Sequence, residues 1–407
     1  MRYAFVPILV ATFNLGNVEF LGQLTPVRFI ILLGLFRGFQ SGGHFLKLSN
    51  PIDRTFILFA ILSIITIPFK ESSINEFNFR MGLLFNVIGT YMYGRTLLYS
   101  SNTFHRLAIG SLIAIVPLSI ALLIESSTGQ NLYHKYLGGR SASAIFRDGW
   151  RARGPFAHPI LAGTAGAVSL PYFALLWKTH RRIAFFGMIA ALGVVIASHS
   201  SGPLAATALA FASLYSWRWR RHIPKLKWII ISSIIFLSMY MDRPFYYIIS
   251  KIDLTGGSTG WHRSKLIDSA LTHFGEWWLA GTDYTRHWMA TGVSWSPNHI
   301  DITNYYIHLG VIGGFGLPLC LITILYLSFN KCIIFINSME NVDKSKAFSM
   351  WCLVASLLAH VASAVSISYF DQMFTLLYIL IAAIANSEES IRDVKSKPLR
   401  DISTQQL

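Results

Sequence analysis

Arginines and histidines beside turns are the residues of this chain with chemistry to offer. In FRDGWRARGPFAHPILAGTAG, Arg151 and Arg153 stand just before the turn pair Gly154-Pro155, and Pro159 sits where a helix can start. An arginine presents a planar fork of donors that matches phosphate. Two of them at a turn, beside a helix start with its partial positive charge, make a cradle for pyrophosphate. His158, in the same stretch, reads either as a structural interface histidine or as a ligand contact. A second stretch, GWHRSKLIDSALTHFGEWWLAGT, supplies Arg263, Glu276 and Trp277. A third, SPNHIDITNYYIHLGVIGGFG, supplies His299, Asp301 and Asn304. The unperturbed pKa of histidine suits His299 to proton transfer near neutral pH, and Asp301 can orient or assist it.

The elements that must hold these groups come next. Ser258 or Thr259 is a candidate N-cap for a helix from Trp261 to Leu279. Ile267, Ala270, Phe274 and Trp278 recur at three and four residues and give that helix an apolar face. Arg263 lies four residues before Ile267 and so falls on the same face, pointing inward or snorkelling to headgroups. Glu276 is a base or an exposed helical carboxylate. Trp277 and Trp278 form an interfacial belt or a stacking platform for a sugar ring. Asn304 begins a glycine-rich apolar helix in which Gly310, Gly313, Gly314 and Gly316 permit close packing.

The rest of the chain is apolar. Of 407 residues, 53% are hydrophobic and only 13% charged, with mean hydropathy +0.48. A soluble domain carries about 25% charged residues, so an all-α polytopic membrane protein is expected. Spanning helices need about 20 apolar residues. Candidates fall near 4–20, 26–40, 54–69, 80–99, 105–124, 160–177, 182–198, 201–218, 227–241, 304–328, 347–368 and 372–387, about twelve in all. The chain then divides into spans 1–9 (1–241), a cap loop (242–303), spans 10–12 (304–387) and a tail (388–407). A loop of roughly sixty residues far exceeds what a hairpin needs, and its aromatic content argues for a folded cap.

The formal charge of +15, from 34 Lys+Arg against 19 Asp+Glu, follows mostly from the positive-inside rule. Every even connection and the tail are basic, which places both termini in the cytoplasm. Two odd loops break the rule: 125–159, with Arg151 and Arg153, and 242–303, with Arg243, Arg263 and Arg286. Basic residues kept on the outer face point to an anion there, or reflect only that long loops translocate regardless of charge. Cys320, Cys332 and Cys352 show no ligand or disulfide spacing. There is no GxSxG, HExxH, P-loop or dinucleotide fingerprint, so no cofactor or metal is expected. Arg28, His308, His360 and Asp371 are read as the only ionisable residues near the spans, which argues against a proton-coupled transporter.

Three pieces carry a resemblance. RARGPFAHP, GWHRSKLIDSAL and NHIDITNYYIHLGVIGG, in this order and spacing, are similar to segments of the O-antigen ligase-like membrane proteins, a family that includes lipopolysaccharide O-antigen ligases and polysaccharide polymerases. The twelve-span outline and the late long loop resemble that family too. The resemblance implies a bacterial inner-membrane enzyme with its site on the periplasmic face. Its donor would be a glycan on undecaprenyl diphosphate, and its acceptor a hydroxyl of a lipid or another glycan. Arg151, Arg153 and Arg263 would hold the diphosphate among membrane lipids, and His299, with Asp301, would position or deprotonate the acceptor. No metal and no nucleic acid would take part. The family's His-Asn followed by a Tyr/Leu pair is here His299-Ile300, so Asp301 and Asn304 are alternatives for that place. A lipid-linked glycan flippase and a non-enzymatic assembly component are the other readings; the second needs the arginines but not His299.

Overall fold

Apolar runs of this kind fold as helices because a helix satisfies its backbone groups internally. A computed structural model describes residues 26–40, 50–70, 73–98, 103–138, 141–143, 145–146, 149–251, 260–294 and 296–387. The expected first span at 4–20, the N-cap at Ser258 or Thr259 and the basic tail lie outside the described residues. The described residues are all-α, with isolated bridges at Phe146–Trp150 and Val293–Ser296 and no strand.

The helices in order are α1 (Pro26–Gln40), α2 (Pro51–Ile65), α3 (Ser73–Leu84), α4 (Thr90–Leu97), α5 (Thr103–Thr128), α6 (Leu132–Leu137), α7 (Pro159–Leu175), α8 (Arg181–Ala197), α9 (Ser201–Tyr215), α10 (Ile223–Tyr240), α11 (Ile248–Lys251), α12 (Gly260–Thr272), α13 (Phe274–Trp277), α14 (Tyr305–Gly313), α15 (Gly316–Met339), α16 (Lys344–Ser366) and α17 (Gln372–Ala385). A π-helical turn, Phe85–Gly89, joins α3 to α4. Among the described residues, five segments are long and apolar enough to cross a membrane: Pro51–Phe69, Phe104–Thr128, Pro159–Lys178, Gly316–Met339 and Lys344–Ser366. Large apolar side chains face outward on several helices. Phe185, Phe186, Ile189 and Ile196 are all at least half exposed along α8. Water is a poor solvent for such a face, and lipid is a good one.

The central post is α7. Every residue from Pro159 to Phe173 is buried. Its small residues, among them Ala162, Gly163, Ala165 and Gly166, let α8, α9 and α16 pack closely around it. Three helix ends meet at one end of this post. The start of α7 lies beside the α8–α9 turn, where the backbone N–H of Ala152 donates to the Ala197 carbonyl at 2.9 Å. A Cβ on Gly202, at the start of α9, would lie 2.7 Å from Ser366 Oγ, at the end of α16. The opposite ends of α9 and α15 are joined by Arg220 and Arg221 on Glu340, at 2.7 and 2.8 Å.

The helix expected over 304–328 is two helices. Gly314 adopts φ of +81°, open to glycine but costly for other residues, and α14 stops there. The break is where the cap docks. Thr282 N–H donates to the Val311 carbonyl at 3.0 Å, and Phe315 N–H donates to the Trp278 carbonyl at 2.7 Å. The helix expected over 261–279 also ends early, at Thr272, and restarts as the single turn α13. The cap has its own core of Leu266, Ala270, Trp277, Trp288, Met289 and Ile300, closed by Val311 of α14.

Buried ionisable residues are more numerous than the sequence reading held. Asp53 in α2 accepts from Arg95 at 3.1 Å and from the Tyr91 hydroxyl at 2.5 Å. Arg80, fully buried, donates to Glu76, to the Ser63 carbonyl and Thr66 hydroxyl, and to the carbonyl of Ile312 beside the α14 break. These pairs went unseen because each partner sits near a helix end and reads as a flanking charge.

Candidate functional site

The three helix ends described above surround two buried guanidinium groups. Arg151 is 6% exposed. Its loop is held from below by Glu125 near the end of α5, whose carboxylate accepts from the backbone N–H of Arg153 at 3.2 Å and of Gly154 at 2.8 Å. Asn131 Nδ2 donates to the Gly154 carbonyl at 2.8 Å. The Arg151 side chain then reaches across to the α8–α9 turn. One terminal nitrogen donates to Ser200 Oγ at 2.8 Å and Nε to the Ser198 carbonyl at 3.5 Å. Ser200 is the N-cap of α9.

Arg263 comes to the same place from the cap. It lies on the buried face of α12, together with Ser264, Leu266 and Ala270, and is 7% exposed. The face predicted by periodicity was the right one for Arg263 and Ala270; Phe274 and Trp278 turn outward because the helix breaks at His273. The Arg263 guanidinium reaches α9: a Cβ on Gly202 would lie 3.8 Å from its Nη2. Among the described residues, neither an acceptor nor a carboxylate pairs with this guanidinium, and its Nε is buried without a hydrogen bond. Burial lowers its pKa, with no carboxylate acting to raise it. A buried charge without a partner is costly by several kcal/mol, on the order of 3 to 5. At this spot the first-turn N–H groups of α9 are also oriented toward incoming negative charge.

His158 completes the group. It is the N-cap of α7, and its Nδ1 accepts from the Ile160 N–H at 3.1 Å. Burial, then the charges of Arg151, Arg153 and Arg263, push its pKa down to about 4. The ring is therefore neutral at pH 7 with its proton on Nε2, and it offers a donor to an anion rather than a base. Arg153 is differently employed. Its guanidinium donates to the carbonyls of Ser141, at 2.7 Å from Nε, and of Ala157, at 3.2 Å. It closes the loop over itself and adds charge, not a free fork.

His299 belongs to a second group. It is half-buried, and burial lowers its pKa; the Asp283 charge raises it and that of Lys70 lowers it. Asp283 holds Lys70 at 3.0 Å, and Lys70 also donates to the Val311 carbonyl at 3.3 Å. Asp301, the partner the sequence offered, exposes its carboxylate. Among the described residues only its backbone carbonyl is engaged, by His262 Nε2 at 3.1 Å. That contact runs the 301–304 segment past the residue next to Arg263. Asn304 caps α14 through Oδ1, accepting from Tyr306 and Ile307 at 3.0 and 3.2 Å. The structure therefore gives Asn304 a framework role.

Two expected glycan contacts sit elsewhere. Trp277 is 5% exposed, with its indole N–H on the Ala270 carbonyl at 2.9 Å, so it is a core residue of the cap and shows no stacking face. Glu276 is exposed on α13, bonded to His273, His287 and Trp288. Burial pushes its pKa up, yet hydrogen bonds from Trp288, His287 and His273 outweigh this and bring it to about 2, so it is ionised and no base. Ser200, Lys70 and Asp283 were missed by sequence reasoning. Ser200 had a signal, since it precedes Gly202-Pro203 as an N-cap should. Lys70 and Asp283 meet only through the fold. No family model matches this chain, and no curated protein matches it.

Proposed function

We propose that the protein is a polytopic membrane glycosyltransferase that moves a glycan from an undecaprenyl-diphosphate carrier to an acceptor hydroxyl, as an O-antigen ligase or polysaccharide polymerase does. The observation that carries this reading is the meeting of Arg151 and Arg263 at the start of α9, with the Arg263 guanidinium buried and, among the described residues, unpaired. A diphosphate supplies the missing charge, and its departure as a leaving group is stabilised by the same two forks. His158 contributes a neutral N–H. His299 takes the acceptor proton, with Asp283 favouring the proton once it has arrived. Asp301 and Asn304 support the segment between the two groups, and Arg153 and Glu276 act at a distance from the reacting atoms. The site lies on the periplasmic face of the inner membrane in this reading, with both termini cytoplasmic.

The transporter reading gains from the buried pairs Arg95–Asp53 and Arg80–Glu76. Arg95–Asp53 is closed on itself, whereas Arg80–Glu76 lies within electrostatic reach of Lys70 and Asp283. Asp53 is in the first turn of α2 and Arg95 in the last turn of α4, while Arg80 is held by acceptors from three segments. Among the described residues, no hydrogen bond or ion pair joins either pair directly to Arg263. The test is transfer of glycan from lipid diphosphate by Arg151→Ala, Arg263→Ala and His299→Ala at matched expression. Loss in all three is expected, with lipid-diphosphate binding kept in His299→Ala. Full transfer by all three would remove the enzyme reading.

A further inference from the structure

We infer that His273, Glu276 and His287 form a binding site for a first-row transition-metal ion of the zinc class, on the cap and apart from the arginine site. The three residues were not a sequence motif. His273 and Glu276 are one turn apart at the junction of α12 and α13, and His287 returns to them on a short 3-10 turn, Arg286–Trp288. Glu276 Oε1 lies 2.7 Å from His273 Nδ1 and 3.0 Å from His287 Nε2. All three donor atoms fall within 4.8 Å of one another.

Two imidazoles and one carboxylate are a donor set that suits zinc and its neighbours and leaves a fourth position for water. Calcium and magnesium, which take oxygen ligands, are poorly served by it. A tetrahedral ion with ligands about 2.0–2.1 Å away needs its donor atoms about 3.3 Å apart. The carboxylate contacts must open slightly and the widest gap must close. The side chains can make that change, being 27%, 40% and 38% exposed for His273, Glu276 and His287. The imidazoles need only take the tautomers that turn a lone pair toward the shared centre.

The surroundings hold the ligands in a way a loose surface cluster does not require. The Trp288 indole N–H fixes the other carboxylate oxygen of Glu276 at 3.0 Å. The His273 ring stacks on Trp288 at 5.7 Å and 5°, and His287 stacks on Tyr284 at 5.2 Å and 12°. Outer contacts of this kind orient metal ligands and sharpen affinity. His273 lies ten positions beyond Arg263, about 15 Å along a helix axis. The ion would therefore staple the α12–α13 corner to the 286–288 turn and stiffen the cap rather than touch the lipid diphosphate.

The experiment uses the full chain in detergent, without a polyhistidine tag and stripped of metal. Zn2+ is titrated against a chromophoric chelator, and Co2+ absorption reports geometry. One equivalent of Zn2+ with micromolar or tighter affinity is expected, with visible Co2+ bands of a tetrahedral site. The double variant His273→Ala/His287→Ala should lose that equivalent, and Trp288→Phe, which removes only the indole donor, should weaken it about tenfold. His134→Ala, far from the cluster in sequence, should leave it unchanged. If the double variant does not fold, Trp288→Phe and Glu276→Gln decide the matter: unchanged zinc affinity in both overturns the site. Absence of a stoichiometric Zn2+ equivalent in the wild-type protein overturns it directly.

Discussion

At the scale of single residues, Arg263 and Arg151 look alike in sequence and differ in what surrounds them. Arg151 spends hydrogen bonds on the α8–α9 turn, whereas Arg263 has none among the described residues. Function and stability should therefore separate at Arg263. Arg263→Met keeps the volume and removes a buried, unpaired charge, so its unfolding temperature should equal or exceed that of the wild type. Its glycan transfer should fall at least about a hundredfold, the effect of losing one preorganised donor to developing charge. A thermal unfolding scan beside a transfer assay checks both. His299 makes a pH prediction. As a base it must be neutral, and burial lowers its pKa from the ordinary 6.5. The acid limb of the kcat/KM profile should thus lie below that of an unperturbed histidine. Asp283→Asn removes a charge that raises this pKa, so the limb should move to lower pH while the rate falls. Movement to higher pH would contradict the pairing. The buried face of Arg263 was legible in sequence because an arginine there breaks the apolar pattern; the acid that faces His299 was not, because Asp301 is near in sequence and Asp283 is near through the fold.

The element scale is where sequence and structure part most. Periodicity found the helices but not where they break, since Gly314 and His273 sit inside patterns that read as continuous. Yet those breaks let the cap close onto the bundle. Any Cβ at Gly314 would lie 2.3 Å from the Leu279 carbonyl oxygen, on a backbone already at φ +81°. Gly314→Ala should cost more than about 2 kcal/mol, with the loss concentrated in the cap. Limited proteolysis should then cut within 260–300 before it cuts the bundle. Trp277→Ala should cost about 3 to 5 kcal/mol as a buried aromatic. Because Trp277 is core, its loss should track cap unfolding; a selective rise in KM for the glycan donor with an intact cap would instead restore the stacking role.

For the whole molecule, composition alone gave an all-α membrane protein, and the five long apolar helices bear out that much. The arginine site adds a constraint on sidedness. The start of α7, the start of α9 and the end of α16 meet there, so under the proposed function their other ends are expected on the opposite side of the membrane. The native cysteines are all buried, which leaves introduced ones readable. Ile145→Cys and Thr291→Cys should label together from one side of intact spheroplasts, and His180→Cys and Asn341→Cys only after permeabilisation. The central claim, that Arg151 and Arg263 hold a lipid diphosphate, is tested most directly by native mass spectrometry of the purified protein with undecaprenyl diphosphate and undecaprenyl monophosphate. The account predicts one bound diphosphate in the wild type, weaker monophosphate binding, and loss of the diphosphate preference in Arg263→Met despite unchanged folding. Equal retention of both lipids by wild type and Arg263→Met would contradict it.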